Sequence, residues 1–142
     1  MENFAVDPKF MMLPLLAQML LTLVMFMLLG SRKAAAYRAG LIEPKVTALD
    51  GRAWPESVLK VSNNIANQFE TPILFYVLGL LAIQLGLVSL PLLILSWLYV
   101  AARVGHAVVH VGSNYVPFRM RFFIVSLAIL LIQLVMIAAG SL

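Results

Sequence analysis

Polar and ionisable side chains recur at helical spacing in two stretches of the sequence that are otherwise apolar. In the stretch LKVSNNIANQFETP they follow one another at intervals of three, four and three residues, which place them on one face of a helix. In a second stretch, around AARVGHAVVHVGSN, the intervals are four, three, four and four. The two sets are Lys60, Asn63, Asn67 and Glu70, and Tyr99, Arg103, His106, His110 and Asn114. Such side chains hold polar or charged ligands, so a binding site is expected where the two faces meet.

The rest of the chain has the composition of a membrane protein. Of its 142 residues, 63% are hydrophobic and 11% are charged, far from the balance of a soluble domain. Uncharged runs cover residues 11–31, 71–102 and 122–142. One span takes about 20 apolar residues, so the first and last runs supply one helix each. The middle run is long enough for parts of two helices, and it should fold back at Pro91, since proline is tolerated at a helix start but not in its interior.

These runs predict an all-α integral membrane protein, a four-transmembrane-helix bundle. We expect one membrane domain over residues 1–142, with helices at about 9–31, 62–87, 91–112 and 118–141. The connection at about 32–61 forms the main loop. A soluble four-helix bundle is disfavoured, because the second and fourth helices lack a continuous polar face for water to wet.

The basic residues predict the orientation of the bundle. The segment from Arg32 to Lys60 is rich in lysine and arginine, and Arg119 and Arg121 stand at the entry to the last helix, whereas the opposite side has Lys9. The positive-inside rule puts both basic segments in the cytoplasm and both termini on the non-cytoplasmic side. The net charge of +4 is therefore a topology signal, and no nucleic acid partner is expected.

The sequence contains no cysteine. This excludes disulfides, thiolate metal sites and a cysteine nucleophile of the protein itself. Any thiol chemistry must come from a bound molecule.

The two polar faces also match in depth. Helices two and three run antiparallel, and the register places Glu70 level with Arg103 and the asparagines of one face level with the histidines of the other. An unpaired charge inside a membrane costs about 2.5 to 3.5 kcal/mol on insertion scales, so we expect Glu70 to pair with Arg103. A purely structural polar seam is one interpretation. However, one ion pair needs no further lysine, asparagines and histidines, and this excess favours a site for a polar, anionic ligand.

Two other functions are compatible with the same residues. His106 and His110 are spaced like metal ligands, with Glu70 as a third donor, but Arg103 one turn away would repel a divalent cation, and no metal is expected. Intramembrane histidine, arginine and glutamate also mark proton relays and transporters. A transport path should continue to the far side, where the third helix offers little beyond Ser96 and the second only Gln84.

The order of these motifs resembles the MAPEG family, the membrane-associated proteins in eicosanoid and glutathione metabolism. The resemblance rests on N-x-x-E-x-P from Asn67 to Pro72, on A-R-x-x-H from Ala102 to His106, and on basic residues entering the last helix. The second turn with His110, Asn114 and Arg119 is similar to a bacterial subgroup. The resemblance implies homotrimers of four-helix subunits, and Ala101, Gly105 and Gly112 form a small-residue strip that would let another helix approach closely.

The resemblance also implies a glutathione site, or a site for another small thiol, between neighbouring subunits. Asn67 and Glu70 match glutathione-binding positions, and Glu70 would meet the amino group of glutathione. Arg103 matches the arginine of the third helix, and Arg119 is the candidate that stabilises the thiolate in catalysis. Arg32 would contact a carboxylate. The other expected ligand-binding residues are Lys60, Asn63, His106 and His110.

Four positions depart from the pattern of the family enzymes. Asn63 stands where an arginine is usual, His106 and His110 replace tyrosines, and Arg119 is offset by about two residues. The sequence therefore predicts a glutathione-transferase-like or peroxidase-like protein acting on lipophilic substrates at the cytoplasmic face of a bacterial inner membrane. The alternative is a non-catalytic protein of the same fold that binds lipid or another ligand.

Overall fold

The structure, a computed structural model, describes residues 6–141 and consists of helices throughout its regular elements. In chain order these are α1 (Lys9–Arg38), α2 (Pro44–Thr47), a 3₁₀ turn (Gly51–Ala53), α3 (Glu56–Gln68), α4 (Thr71–Gln84), α5 (Leu90–Val111) and α6 (Val116–Ser141). Four segments within the described part are long and apolar enough to cross a membrane, with α3 and α4 together making one of them. The predicted all-α bundle of four transmembrane helices is confirmed.

The outer surface of the bundle is apolar, as lipid requires. Leu20, Met27, Leu131 and Val135 each expose 60% of their surface or more. Inside, one cluster of apolar side chains joins α1, α4, α5 and α6, and a second, formed by Met25, Val61, Ile65 and Ala107, joins α1, α3 and α5. The second cluster lies near the end of the bundle where α1 and α5 finish and α3 and α6 begin, which we call the basic end.

The first helix is longer than the sequence predicts. It continues to Arg38 instead of ending near residue 31, and α3 begins at Glu56, so the connection at the basic end is shorter than residues 32–61. Good helix formers at residues 34–36 carry α1 onward. Gly40, with a φ of 65°, ends it, and the Leu41 amide donates to the Ala36 carbonyl at 3.1 Å. The ends of the predicted domain, residues 1–5 and 142, lie outside the described residues.

The second transmembrane segment is broken where the sequence predicts a continuous helix. Helix α3 ends at Gln68 and α4 begins at Thr71, with Glu70 at φ −99° and ψ −101° between them. Pro72 is the cause, because it has no N–H to donate to the Gln68 carbonyl and its ring would clash with that carbonyl in a continuous helix. The break releases carbonyls at the end of α3, which need other donors.

The remaining turns follow the sequence closely. Helix α5 starts at Leu90 with Pro91 in its first turn, so the uncharged run folds back where expected. Gly86, at φ 66°, ends α4 as the Leu87 amide donates to the Ala82 carbonyl at 2.9 Å. Between α5 and α6, Asn114 adopts a left-handed conformation with φ 53°.

The small-residue strip is used partly within the subunit. A Cβ on Gly105 would lie 2.5 Å from the Phe122 ring, so this glycine admits α6 and not a second copy of the chain. Ala101 and Gly112 are exposed. Gly105 therefore gives no support to an oligomer interface, contrary to its use in the sequence-based argument.

Candidate functional site

A polar pocket opens between α3, α5 and α6 at the basic end. Its volume is about 250 Å³. It is lined by Asn63, Asn67, His106, His110, Arg119, Met120 and Phe123. The first five are residues that the sequence assigns to the site, four of them from helical spacing and Arg119 from the family resemblance.

Hydrogen bonds fix the two histidines of the pocket from opposite sides. His106 Nδ1 lies 3.1 Å from the main-chain oxygen of Arg119. His110 Nδ1 lies 3.4 Å from the side-chain nitrogen of Asn64. The rings are perpendicular, with centroids 5.5 Å apart, and both side chains are buried. Each imidazole thus has one nitrogen engaged, and the second nitrogen of His106 is buried without a partner in the described chain.

Arg119 is held by the turn that precedes it. Its Nη1 donates to Asn114 Oδ1 at 2.8 Å, and Asn114 is the residue in the left-handed conformation. Asparagine suits this position because it tolerates a positive φ and its side chain bonds locally. The half-buried guanidinium is therefore positioned by the same residue that turns the chain from α5 into α6.

Arg103 lies behind the pocket and is fully buried. Its Nη2 donates to the main-chain oxygen of Asn67 at 2.8 Å, which is a carbonyl released by the helix break. No carboxylate lies within 4.0 Å of Arg103 in the described chain, so the predicted Glu70–Arg103 ion pair is wrong. The unpaired carbonyls and the helix dipole at the end of α3 favour a cation there. The sequence-based prediction assumed an unbroken second helix, in which these carbonyls would be paired.

An apolar groove lies next to the polar pocket along α6. Its volume is about 690 Å³. It is lined on one side by Leu74, Val77, Leu78 and Leu81 of α4, and on the other by apolar side chains of α6 between Ile124 and Leu134. Phe123 of the pocket and Ile124 of the groove are neighbours on α6, so a polar compartment and an apolar one succeed each other along the same helix.

Comparison with protein families gives a match to the MAPEG family over residues 11–139. The chain belongs to the MAPEG family. Searches of curated proteins and of solved structures give no significant match. Family membership, the four spans and the order of the polar motifs therefore agree across nearly the whole chain.

In this MAPEG-family chain, Glu70 lies at the break between α3 and α4. It is exposed and does not line the polar pocket. Its main-chain oxygen accepts from the Ile73 amide at 3.3 Å, which closes the first turn of α4. A contact between Glu70 and a pocket ligand would therefore need the ligand to extend beyond the pocket lining.

Arg32 and Lys60 contact the end of α5. Arg32 donates to the Val111 carbonyl through both terminal nitrogens at 3.2 Å and to the Ser57 carbonyl at 2.7 Å. Lys60 Nζ lies 3.4 Å from the Gly112 carbonyl and 2.8 Å from a carboxylate oxygen of Glu56. Cations at a helix C-terminus bond its last carbonyls. Both residues thus hold the helix that carries the histidines, outside the pocket wall.

The three-residue metal site considered from the sequence does not assemble in the described chain. Residues 6–141 contain no group of three histidine, aspartate or glutamate side chains close enough to hold a metal ion. Glu70, the third donor considered from the sequence, lies outside the pocket that His106 and His110 line.

Sequence reasoning missed a row of buried amides. Gln18, Asn64 and Gln68 are each at most 2% exposed and contact one another beside His110. Asn64 and Gln68 have the same four-residue spacing as Asn63 and Asn67 and are offset from them by one position. That spacing was the available signal. A single amide in the apolar α1, Gln18, was a second one, because an uncompensated polar side chain in a span requires a partner.

Proposed function

We propose that the chain is a membrane-bound glutathione-transferase-like or peroxidase-like protein that acts on lipophilic substrates at the cytoplasmic membrane face. The basic end faces the cytoplasm in this proposal, and both termini lie on the other side. Glutathione, or another small thiol, is the polar reactant, and the second reactant arrives from the lipid.

The succession of a polar pocket and an apolar groove along α6 is the observation that supports this most. A water-soluble thiol needs polar donors and acceptors near the membrane surface, which Asn63, Asn67 and the histidines supply. A lipophilic electrophile needs an apolar cleft open to lipid, and the groove between α4 and α6 has only apolar side chains. Holding the two reactants side by side replaces a bimolecular encounter and supplies the proximity contribution to the rate.

Arg119 is the proposed catalytic residue. A guanidinium beside the thiol favours the thiolate, which is the nucleophile, and so lowers the pKa of the bound thiol. In transfer, the thiolate sulfur forms a bond to the electrophilic carbon and the leaving group departs with its electron pair. In peroxidase chemistry, two thiols are oxidised to a disulfide while a lipid hydroperoxide is reduced to an alcohol and water.

The active unit in this proposal is a homotrimer with the thiol between neighbouring subunits. The position of Glu70 supports an inter-subunit site, because this carboxylate is exposed beside the helix break and outside the pocket of its own subunit. A ligand that spans the boundary can reach both the pocket of one subunit and a carboxylate at its edge.

Turnover assays in nanodiscs test the proposal. The purified protein should conjugate glutathione to a lipophilic haloarene or reduce a lipid hydroperoxide, and Arg119→Met should abolish the activity. Arg121→Met is the matched control, because Arg121 is exposed and does not line the pocket. Its Cζ lies 5.4 Å from the centroid of the Phe118 ring. Wild-type protein that binds lipid but neither binds thiols nor turns over would establish the non-catalytic alternative.

A further inference from the structure

A continuous chain of buried amides connects the core of α1 to His110. Gln18 Nε2 lies 2.9 Å from Gln68 Oε1, and Gln68 Nε2 lies 3.3 Å from Asn64 Oδ1. Asn64 Nδ2 then lies 3.4 Å from His110 Nδ1. All four side chains are at most 3% exposed. We call these three amides the amide relay.

The relay has a direction. As the contacts stand, each amide nitrogen donates toward His110, and the Gln18 Oε1 atom at the far end is left without a partner. If every amide were reversed, the group left over at Gln18 would be an NH₂ with two donors. A buried acceptor without a partner is tolerated more readily than a buried donor without one. The direction that donates to His110 is therefore the more stable one.

This direction determines which nitrogen of His110 carries its proton. An amide NH₂ is a donor only, so His110 Nδ1 must accept from Asn64. In a neutral imidazole one nitrogen accepts and the other donates. The donor that His110 offers is therefore Nε2–H.

His106 is fixed in the opposite sense. Its Nδ1 faces the main-chain oxygen of Arg119 at 3.1 Å, and a carbonyl oxygen is an acceptor only. The proton of neutral His106 is thus on Nδ1, and Nε2 is a bare acceptor. That Nε2 is buried and has no partner in the described part of the chain. Two histidines one helical turn apart are consequently held in opposite tautomers.

We propose that Gln18, Gln68 and Asn64 are positioning residues that hold His110 in the Nε2–H form, so that His110 offers the pocket a hydrogen-bond donor. This inference rests on the proposed function for the identity of the ligand. This donor suits a cysteinyl thiol whose adjacent carbonyl would accept from His110 Nε2–H. A purely structural role for the same amides would tie α1, α3 and α5 together without requiring either tautomer.

Nitrogen NMR of the unliganded protein tests the tautomers directly. The chain contains two histidines, so ¹⁵N-histidine labelling of the full-length protein with a tag that lacks histidine gives two imidazole systems, and His106→Phe assigns them. At about pH 8, above the ordinary histidine range, the protonated and bare nitrogens separate clearly in long-range proton–nitrogen spectra. The expected result is Nε2–H for His110 and Nδ1–H for His106. Nδ1–H at His110 would overturn the proposal, and this measurement needs no variant of the relay to fold.

Asn64→Asp should reverse the hydrogen bond to His110 and keep the one from Gln68. The new carboxylate can still accept from Gln68 Nε2, but it can only accept from His110, so the proton of His110 should move to Nδ1. Ser62→Asp adds the same charge at an exposed position of α3 outside the pocket lining and should leave Nε2–H in place. If Asn64→Asp folds and His110 keeps its Nε2–H form, the relay does not set the tautomer.

Thiol binding separates this inference from the function on which it rests. Asn64→Asp should weaken binding of reduced glutathione about tenfold, the loss typical of one hydrogen bond to a polar ligand group. If the tautomers are as expected while neither glutathione nor other small thiols bind the wild type, the relay is supported and the thiol function is wrong. If thiols bind the wild type while His110 is in the Nδ1–H form, the thiol function is supported and the relay is wrong.

Discussion

Arg103 donates through Nη2 to the main-chain oxygen of Asn67 at 2.8 Å, so a fully buried arginine closes the end of a broken helix. The break at Glu70 follows from Pro72 and exposes the carbonyl that the arginine then satisfies. Two features that are separate in the sequence, the proline of the second span and the arginine of the third, are thus parts of one arrangement. It sets the position of Asn67 and with it one wall of the polar pocket.

This arrangement predicts coupling between Pro72 and Arg103. Arg103→Leu should destabilise the protein by about 1 to 3 kcal/mol, because it strands the Asn67 carbonyl. In a Pro72→Ala background the helix can close across the break and satisfy that carbonyl itself, so the same substitution should cost at least about 1 kcal/mol less. Thermal or denaturant unfolding of the four proteins in one detergent gives the cycle. Additive effects would show that Arg103 does not serve the break.

Glu70→Ala tests that Glu70 and Arg103 do not form the ion pair that the sequence predicts. Glu70 is exposed and has no cation within 4.0 Å in the described chain. Its removal should change stability by no more than about 0.5 kcal/mol. A loss as large as that of Arg103→Leu would restore the predicted pair.

Gly105→Ala should strain the contact between α5 and α6. The added Cβ would lie 2.5 Å from the Phe122 ring, and the cost of such overpacking is about 1 to 3 kcal/mol. Phe122→Leu should recover much of that loss in the double variant. Gly30→Ala is the matched control, because a Cβ there meets nothing within 4 Å and alanine stabilises a helix interior by about 0.5 to 1 kcal/mol. Unfolding midpoints of the variants measure both effects, and equal midpoints for the two alanine variants would contradict the packing.

Asn114→Gly should distinguish the two roles of Asn114, which are to form the turn between α5 and α6 and to orient Arg119. Glycine adopts the positive φ of this position without strain, so the fold and the unfolding midpoint should be preserved. The substitution removes the oxygen that accepts from Arg119 Nη1, so the guanidinium loses its orientation. Turnover in nanodiscs should fall about tenfold, as expected for a misplaced catalytic group. Full activity with glycine would mean that the side chain of Asn114 serves only the turn.

The sequence predicts the fold because its main signals are local. Uncharged runs give the spans, Pro91 marks the fold-back, and glycine or asparagine marks the turns. Helical spacing also groups the histidines with Asn63 and Asn67, since side chains on facing stripes must meet, and the family resemblance adds Arg119. The contact between Arg103 and Asn67 could not be predicted from helical spacing. It depends on a main-chain carbonyl that is free only because the second span is broken at Glu70. Asn64 was missed because a one-residue offset separates the pocket face from the buried face, and only packing against α1 decides between them.

Isothermal titration of reduced glutathione into nanodisc-embedded protein is the most direct measurement of the polar pocket as a thiol site. The expected result is saturable binding to the wild type and to Arg121→Met, with binding lost when His106 and His110 are both changed to phenylalanine. The double variant should keep its fold, since phenylalanine is apolar and similar in breadth. Undiminished binding to the double variant, or no binding of glutathione or another small thiol to the wild type, would contradict the proposed site.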